Sequence, residues 1–566
     1  MKTIKTFYAS FAFLFLGLFP ISAMGQSMPH TFTANTAATA SEVNANFEYL
    51  LERFDVIRET TVNCGNSGTG SGINSAIQNG YNSIVINGIC KENINLDGIE
   101  GNTPRLLKLR GANNNASQDK IIDNSNYTKH VLAFNYSDML VTIDNLTISG
   151  GDRAITAWSN INLKIYNSKV EGYKKRGIQL GAGSVLDGKN LTIDGSYSGA
   201  TSDEVGLRLW GSSVAYVENL TITNNQEYGL TTWNSHIEVD GNVTLTGNGR
   251  AINVGGAATF SSDANITISG STDKAISVNQ GFLNIWGGTT SITSTTGVIL
   301  NSWMSNIHIE NLTATGDGSS GHIFNIDNSV FSLKNLSLSN AGYNGIYIQN
   351  SGGEIDNLTS SNNNGHGLRA YLSRIQIKNS VISGNDDGIR LNGASDLVLK
   401  SSTISNNSDV AIQFEEGSLV HIYDSTISGV SGKQAILGDN KVLLMIAEDS
   451  GSTVISTTNT AAIYLRNSSG EIGDGVEVSS TGTNAVGIQL DSGSSIKIED
   501  GATVNGSTNG GSIVGSMRST IEIATGSTVS SPIWCGSDGR TMVIAPGFTD
   551  NSSSLTVGNT CIKVSR

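Results

Sequence analysis

The chain runs to 566 residues with a formal net charge of −14, and only 14% of its residues are charged. That balance excludes nucleic acid and anionic membrane surfaces as partners, because both are met by a basic face. After residue 25 no stretch approaches the roughly twenty apolar residues of a membrane-spanning helix, and the chain holds only four cysteines.

Residues 1–25 read as a secretory signal peptide. Lys2 and Lys5 form the charged end, Phe11–Phe19 the apolar run, and Ala23-Met24-Gly25 the small-residue cleavage site. Loss of the two lysines takes the formal charge from −14 to −16, and the product expected is secreted, with the periplasm or the cell surface as other destinations. Residues 26–60 form a leader. Within it Thr39-Ala40-Ser41-Glu42 is a capping box that opens a helix. Val43, Phe47, Leu50, Phe54 and Ile57 follow at intervals of four and three, a seam two heptads long. So short a seam is marginal alone, which favours a helix lying over the end of the array beyond it. The other reading is an oligomerisation stub, so the protein is expected as a monomer, or as a trimer through this helix. Residues Phe32–Phe47 also resemble a leader segment found ahead of repeats in exported bacterial and tail-fibre-like proteins, which implies no chemistry.

Residues 61–120 lead into the repeats. Ile73–Ile77 reads as a short cap helix, and Ile84-Val85-Ile86-Asn87-Gly88 and Leu107-Lys108-Leu109-Arg110-Gly111 as strands. From 121 to 530 one unit recurs, most plainly at Gly388–Val410. There Ile389 and Leu391 alternate with Arg390, and two further short alternating stretches follow after Gly and Ser. Period-two alternation marks half-buried strands, and none of the three could bury its apolar face except against copies of itself. A small residue before the first inward aliphatic keeps phase at Ala154, Gly177, Gly206, Gly229, Ala251 and Ala275. It continues at Val298, His322, Gly345, Gly367, Gly388, Ala411, Ala435, Ala462, Gly487 and Ser512. A second marker, Asn-Leu-Thr or a close variant, recurs at Asn190, Asn219, Asn242, Asn265 and Asn335. These markers predict about 16 regular coils of three strands, on the order of 75 Å of solenoid.

Three strands in a coil of about 24 residues resemble the right-handed parallel β-helix of the pectin-lyase-like superfamily. The resemblance implies an all-β single parallel β-helix with a short N-terminal helical cap, and residues 531–566 as a C-terminal cap. It implies no activity, since enzymes and binding proteins share the fold. The turn after the first strand is rich in Asn (Asn160, Asn234, Asn279, Asn301, Asn328, Asn350, Asn392), a residue that tolerates left-handed backbone and can hydrogen-bond along a stack. Of the cysteines, Cys64 and Cys90 lie at one end and Cys535 and Cys561 at the other. The coils between them separate the ends too far for cross-pairing, so one disulfide is expected at each terminus.

Chemistry is sparser. Tyr347, Arg369, Arg390 and Gln413 take one outward position on four successive coils, with His366, Asp386, Asp387 and Asp409 in the preceding turns. Paired carboxylates can act as acid and base on a glycosidic bond, and an arginine column can hold a uronate carboxylate. His366, Arg369, Asp386, Asp387 and Arg390 are therefore the catalytic candidates, should the protein be an enzyme. Gly365-His366-Gly367 and Asn385-Asp386-Asp387-Gly388 are similar to pieces of the polygalacturonase signature, but in reversed order and without its Asn-Thr-Asp and Arg-Ile-Lys elements. No catalytic role carries over, and Asp, Asn and His before Gly are also ordinary turn residues. No metal cluster, phosphate loop or cofactor motif stands out. Trp158, Trp210 and Trp233 each stand four residues after a marker and point outward from one edge of the first sheet, as a row offering faces for sugars. The expected function is binding of a polysaccharide or cell-surface glycan by an exported, non-catalytic β-helix. A polysaccharide lyase or glycoside hydrolase acting on an acidic glycan is the alternative.

Overall fold

The computed structural model describes residues 57–565 apart from 97–103, 136–137, 200–201, 294–296, 320, 537–539 and 548–554. The segments expected as a signal peptide and a leader helix lie outside the described residues, save that Ile57 of the seam is seen and exposed. Glu59–Arg566 forms one compact unit.

That unit is a parallel solenoid whose coils each contribute to three sheets. Leu368–Tyr371, Ile389–Asn392 and Ile412–Glu415 are neighbours in the first sheet; Arg374–Lys378, Asp396–Lys400 and Leu419–Tyr423 in the second; Val381–Ser383, Thr403–Ser405 and Thr426–Ser428 in the third. Every one of these pairings is parallel and in register, so like residues stack on like. Ile389 sits between Leu368 and Ile412, and Leu391 between Ala370 and Phe414, all of them buried. The core is this set of inward columns, while the alternate residues line the outer faces. The solenoid makes about 21 turns rather than sixteen. The additional coils lie at the two ends, from Glu59–Gly70 through Leu140–Asp144 and from Ile533–Cys535 to Ile562–Ser565, where the small-residue marker is lost.

The marker has a steric cause. It occupies a corner where consecutive coils come close, and a Cβ on Gly388 would meet Asn407 Nδ2 at 2.7 Å, one on Gly367 the carbonyl of Gly388 at 2.8 Å. At two coils the phase read from sequence is one residue early. Leu300 pairs with Ile276 and Phe324 with Leu300, so Ile299 and Ile323, not Val298 and His322, take the corner. Two adjacent apolar residues, both buried in each case, blur the alternation there.

Polar side chains stack as regularly as apolar ones. Asn363 Nδ2 donates to Asn385 Oδ1 at 2.8 Å, and Asn385 Nδ2 to Asn407 Oδ1 at 3.1 Å, inside the solenoid. A serine ladder runs along another corner, where the amides of Ser329, Ser351, Ser373 and Ser395 each donate to the hydroxyl one coil on. Asn190, Asn219, Asn311, Asn335 and Asn357 take left-handed backbone angles where a second-sheet strand bends into the third, and most of their side chains bond from coil to coil. This is the corner of the Asn-Leu-Thr marker. Of the asparagines expected in the turn after the first strand, Asn160, Asn234, Asn328 and Asn350 are left-handed, whereas Asn279, Asn301 and Asn392 end or lie within strands.

At the N-terminal end the helix Ile73–Gln78 is held by Glu92, whose carboxylate accepts from the amides of Gly72, Ile73 and Asn74 at 2.8–3.0 Å. The disulfides are Cys64–Cys90 and Cys535–Cys561, as the spacing predicts. Replacing both Cys535 and Cys561 by Ser should lower the local stability of the last coils by about 3 kcal/mol, the chain-entropy value for such a loop. Hydrogen exchange checks this: amides of Thr520–Ile523 and Met542–Ala545 should lose protection while those of Asp396–Lys400 keep theirs. Unchanged protection at the end would show the bond to be structurally idle.

Candidate functional site

The outer face of the first sheet carries three columns of side chains. One of them runs Trp158, Gly181, Trp210, Trp233, Gly255, Asn279, Trp303, Asp327, Gln349, Tyr371, Asn392, Glu415 in strict register. Trp210 and Trp233 stack with ring centroids 6.2 Å apart and planes 15° apart, both more than a third exposed. Trp158 is half-buried, and its indole fills the space left by Gly181 one coil on. Trp233 likewise covers Gly255 and Gly256, and Tyr371 covers Gly393. An aromatic over a glycine shields backbone from water, so these rings have a packing role beside any other. Trp303 and Tyr371 belong to the same row and are exposed; sequence reasoning missed Trp303 because its coil was read one residue out of phase.

The two stacked indoles line a cleft of about 320 Å³ with Arg176, Asp203, Arg208, Glu227, Tyr228 and Thr231. Arg208 lies over Trp210, its guanidinium 5.2 Å from the ring centroid, and Arg250 lies over Tyr228 at 5.5 Å. Arg176 is buried and pairs with Asp203 at 3.3 Å. Burial, then the like charges of Arg176 and Arg153, hold Arg208 below the ordinary guanidinium value. Asp203 comes from the insertion that makes this coil the longest, and next to it Glu204 is fully buried. The Glu204 carboxylate accepts from the Gln226 amide at 3.1 Å, yet burial pushes its carboxyl up to about 8. The arginines were not legible from sequence, since nothing in the pattern distinguishes them from ordinary outward residues.

Seven coils further along, the structure brings together part of the other predicted set. His366 Nδ1 lies 3.1 Å from Asp387 Oδ2, close enough for an ion pair but without the alignment of a hydrogen bond. Arg390 lies 3.7 Å from the same carboxylate and 3.5 Å from Glu415. Arg369 stands one coil before Arg390 in the same column and 5.9 Å from the Tyr347 ring. Asp386 is not among them: it is exposed in the turn and accepts from Ser408 at 3.3 Å, so the two carboxylates of the Asp-Asp pair diverge. His322, read from the sequence only as a corner marker, stacks on Tyr347 with ring centroids 5.0 Å apart. Burial, with Arg369 and His366 beside it, pushes its imidazole down to about 4. Among the described residues no group of three His, Cys, Asp or Glu side chains could hold a metal ion, and no helix is long and apolar enough to cross a membrane.

Residues 321–469 match the family described as a right-handed β-helix region, and parallel coils of the same kind continue on both sides of that segment. No curated protein matches. Among solved structures, the chain is similar to the N-terminal fragment of gene product 12 of bacteriophage phi29, with 10% identity over 83% of this chain and 91% of that one, at a TM-score of 0.37. It is similar to the A-module of the mannuronan C-5 epimerase AlgE6 of Azotobacter vinelandii, with 12% identity over 89% and 99% of the two chains and a TM-score of 0.18. A third is a tailspike protein mutant of the E. coli bacteriophage HK620 in complex with a hexasaccharide, with 8% identity over 92% and 76% and a TM-score of 0.17.

Proposed function

We propose that this right-handed β-helix repeat protein is an exported, non-catalytic binder of polysaccharide, which lies along the outer face of its first sheet. The observation that carries the reading is the stacked, exposed pair Trp210 and Trp233 within a cleft also lined by Arg208 and Tyr228. Parallel indole faces spaced by the coil repeat suit successive sugar rings, whose C–H faces stack on aromatics while hydroxyls bond to polar neighbours such as Thr231 and Asn253. Two disulfides support an oxidising compartment, and the signal-like first 25 residues support export.

A glycan array run with wild type and variants tests the reading. Trp210→Ala should weaken retention of the bound glycan by about tenfold, which corresponds to about 1.4 kcal/mol of stacking. Its melting temperature should stay within about 2 °C of wild type, because the ring closes no backbone gap. Trp233→Ala should weaken binding as much and also lower the melting temperature, because Gly255 and Gly256 lose their cover. Retention of no glycan by the wild type, or undiminished retention by Trp210→Ala, would remove the aromatic face from consideration.

A further inference from the structure

Six buried side-chain polar atoms without a hydrogen-bond partner gather in one place. They are His322 Nδ1, Asn344 Nδ2 and His366 Nδ1, in turns that lead into first-sheet strands, and Arg369 Nε, Arg390 Nε and Asn392 Oδ1, on first-sheet strands, over four consecutive coils. An unpartnered buried polar group costs about 1–3 kcal/mol, so a concentration of them marks a place built to receive something.

What it receives follows from the atoms. Asn344 Nδ2, Arg369 Nε and Arg390 Nε can only donate, and Asn344 is completely buried. Its carbonyl oxygen accepts from the His366 amide at 2.9 Å, which fixes the orientation of the side chain and leaves its amide nitrogen to spare. Arg390 is offset by Asp387 and Glu415. Arg369, one coil earlier, has no carboxylate within ion-pair distance among the described residues; its guanidinium stands over Tyr347, His322 lies near enough to feel its charge, and Asn344 sits in the turn one coil before His366. His322 is held low first by burial, and Arg369 and His366 add to it. Neutral sugar hydroxyls both donate and accept, whereas spare donors around an uncompensated guanidinium suit an acceptor-only group.

We propose that the cluster around Arg369 binds an anionic group, a carboxylate or a sulfate ester, on a glycan lying along the first-sheet face. Arg369 supplies the charge and the Asn344 amide a directed hydrogen bond, and His322 and His366 flank them. The proposal rests on the glycan reading only for what the anion is attached to.

The test uses the full chain with 15N-labelled histidine, titrated with sodium sulfate and, separately, with sodium glucuronate, against sodium chloride at matched ionic strength. The imidazole signals of His322 and His366 should shift saturably, while those of His236, His308 and His421, which lie on second-sheet strands, should not move. The stronger of the two responses tells carboxylate from sulfate. Arg369→Gln should weaken the response at least tenfold. Asn344→Asp keeps the acceptor for the His366 amide but turns the spare donor into an oxygen, and should abolish the response as well. It decides the matter should the Gln variant fail to fold. Absence of a localised shift with either anion, or an equal response in a folded Arg369→Gln or Asn344→Asp variant, overturns the proposal. A saturable shift beside a blank glycan array keeps the anion-binding cluster and sinks the polysaccharide reading; glycan retention with no shift does the reverse.

Discussion

Ile389→Asp is expected to destroy the coils around it, at a cost above about 4 kcal/mol. Ile389 is fully buried, in register between Leu368 and Ile412, and has only aliphatic neighbours along the column. The substitution removes about 1.5–3 kcal/mol of apolar burial and leaves a carboxylate with no partner, a term of several kcal/mol more. Because each coil contacts only its neighbours, damage should spread outward from coil 388 rather than cap to cap. Limited proteolysis should cut first in the turns near Asn385 and Asn406, and the melting temperature should fall by more than 10 °C. A variant melting within 2 °C of wild type would mean that Ile389 does not face inward.

The second large effect is expected from a residue with no apolar side chain at all. Asn385 is 2% exposed, and its amide nitrogen is shared among the carbonyls of Ser360 and Ser383 and the side chain of Asn407 at 3.1–3.2 Å. Its oxygen accepts from the backbone and side-chain nitrogens of Asn363 at 3.1 and 2.8 Å. Asn385→Leu nearly keeps the volume but strands these groups without water, which should cost about 3–5 kcal/mol. Asn364→Leu is the control: that residue is exposed and donates once, to Gly318 at 3.1 Å, so its loss should cost under about 1 kcal/mol. Chemical denaturation of the two variants side by side checks the contrast. Equal midpoints would mean that the inner ladder contributes nothing beyond filling space.

Much of this fold was legible because its physics is local and repeated. Period-two alternation, one small corner residue and an Asn at the bend recur often enough for the coil to be read without a partner structure, and Ile389, Leu391 and Gly388 all stand where that reading puts them. Legibility failed where the repeat loses contrast. At Ile299-Leu300 and Ile323-Phe324 two adjacent apolar residues erase the phase, and with it went Trp303 and the corner assignment of His322. At the ends, coils without a small corner residue were counted as caps. The site was less legible than the fold, because outward positions obey no pattern. Arg369 and Arg390 were found by their column, but Arg176 and Arg208 matter through a loop that folds over their coil, and Asn344 through a donor that only three-dimensional packing leaves idle.

The in-register stacking also makes the solenoid a ruler. Arg208, beside the indole pair, and Arg369 occupy one column seven coils apart, which at roughly 4.8 Å per coil is about 34 Å. Since the Ser and Asn ladders present much the same bonds at each step, a coil could be gained or lost in the interval without a new interface having to be invented. The spacing of the two sites can then change only in whole graduations, and the terminal disulfides lie outside the scale.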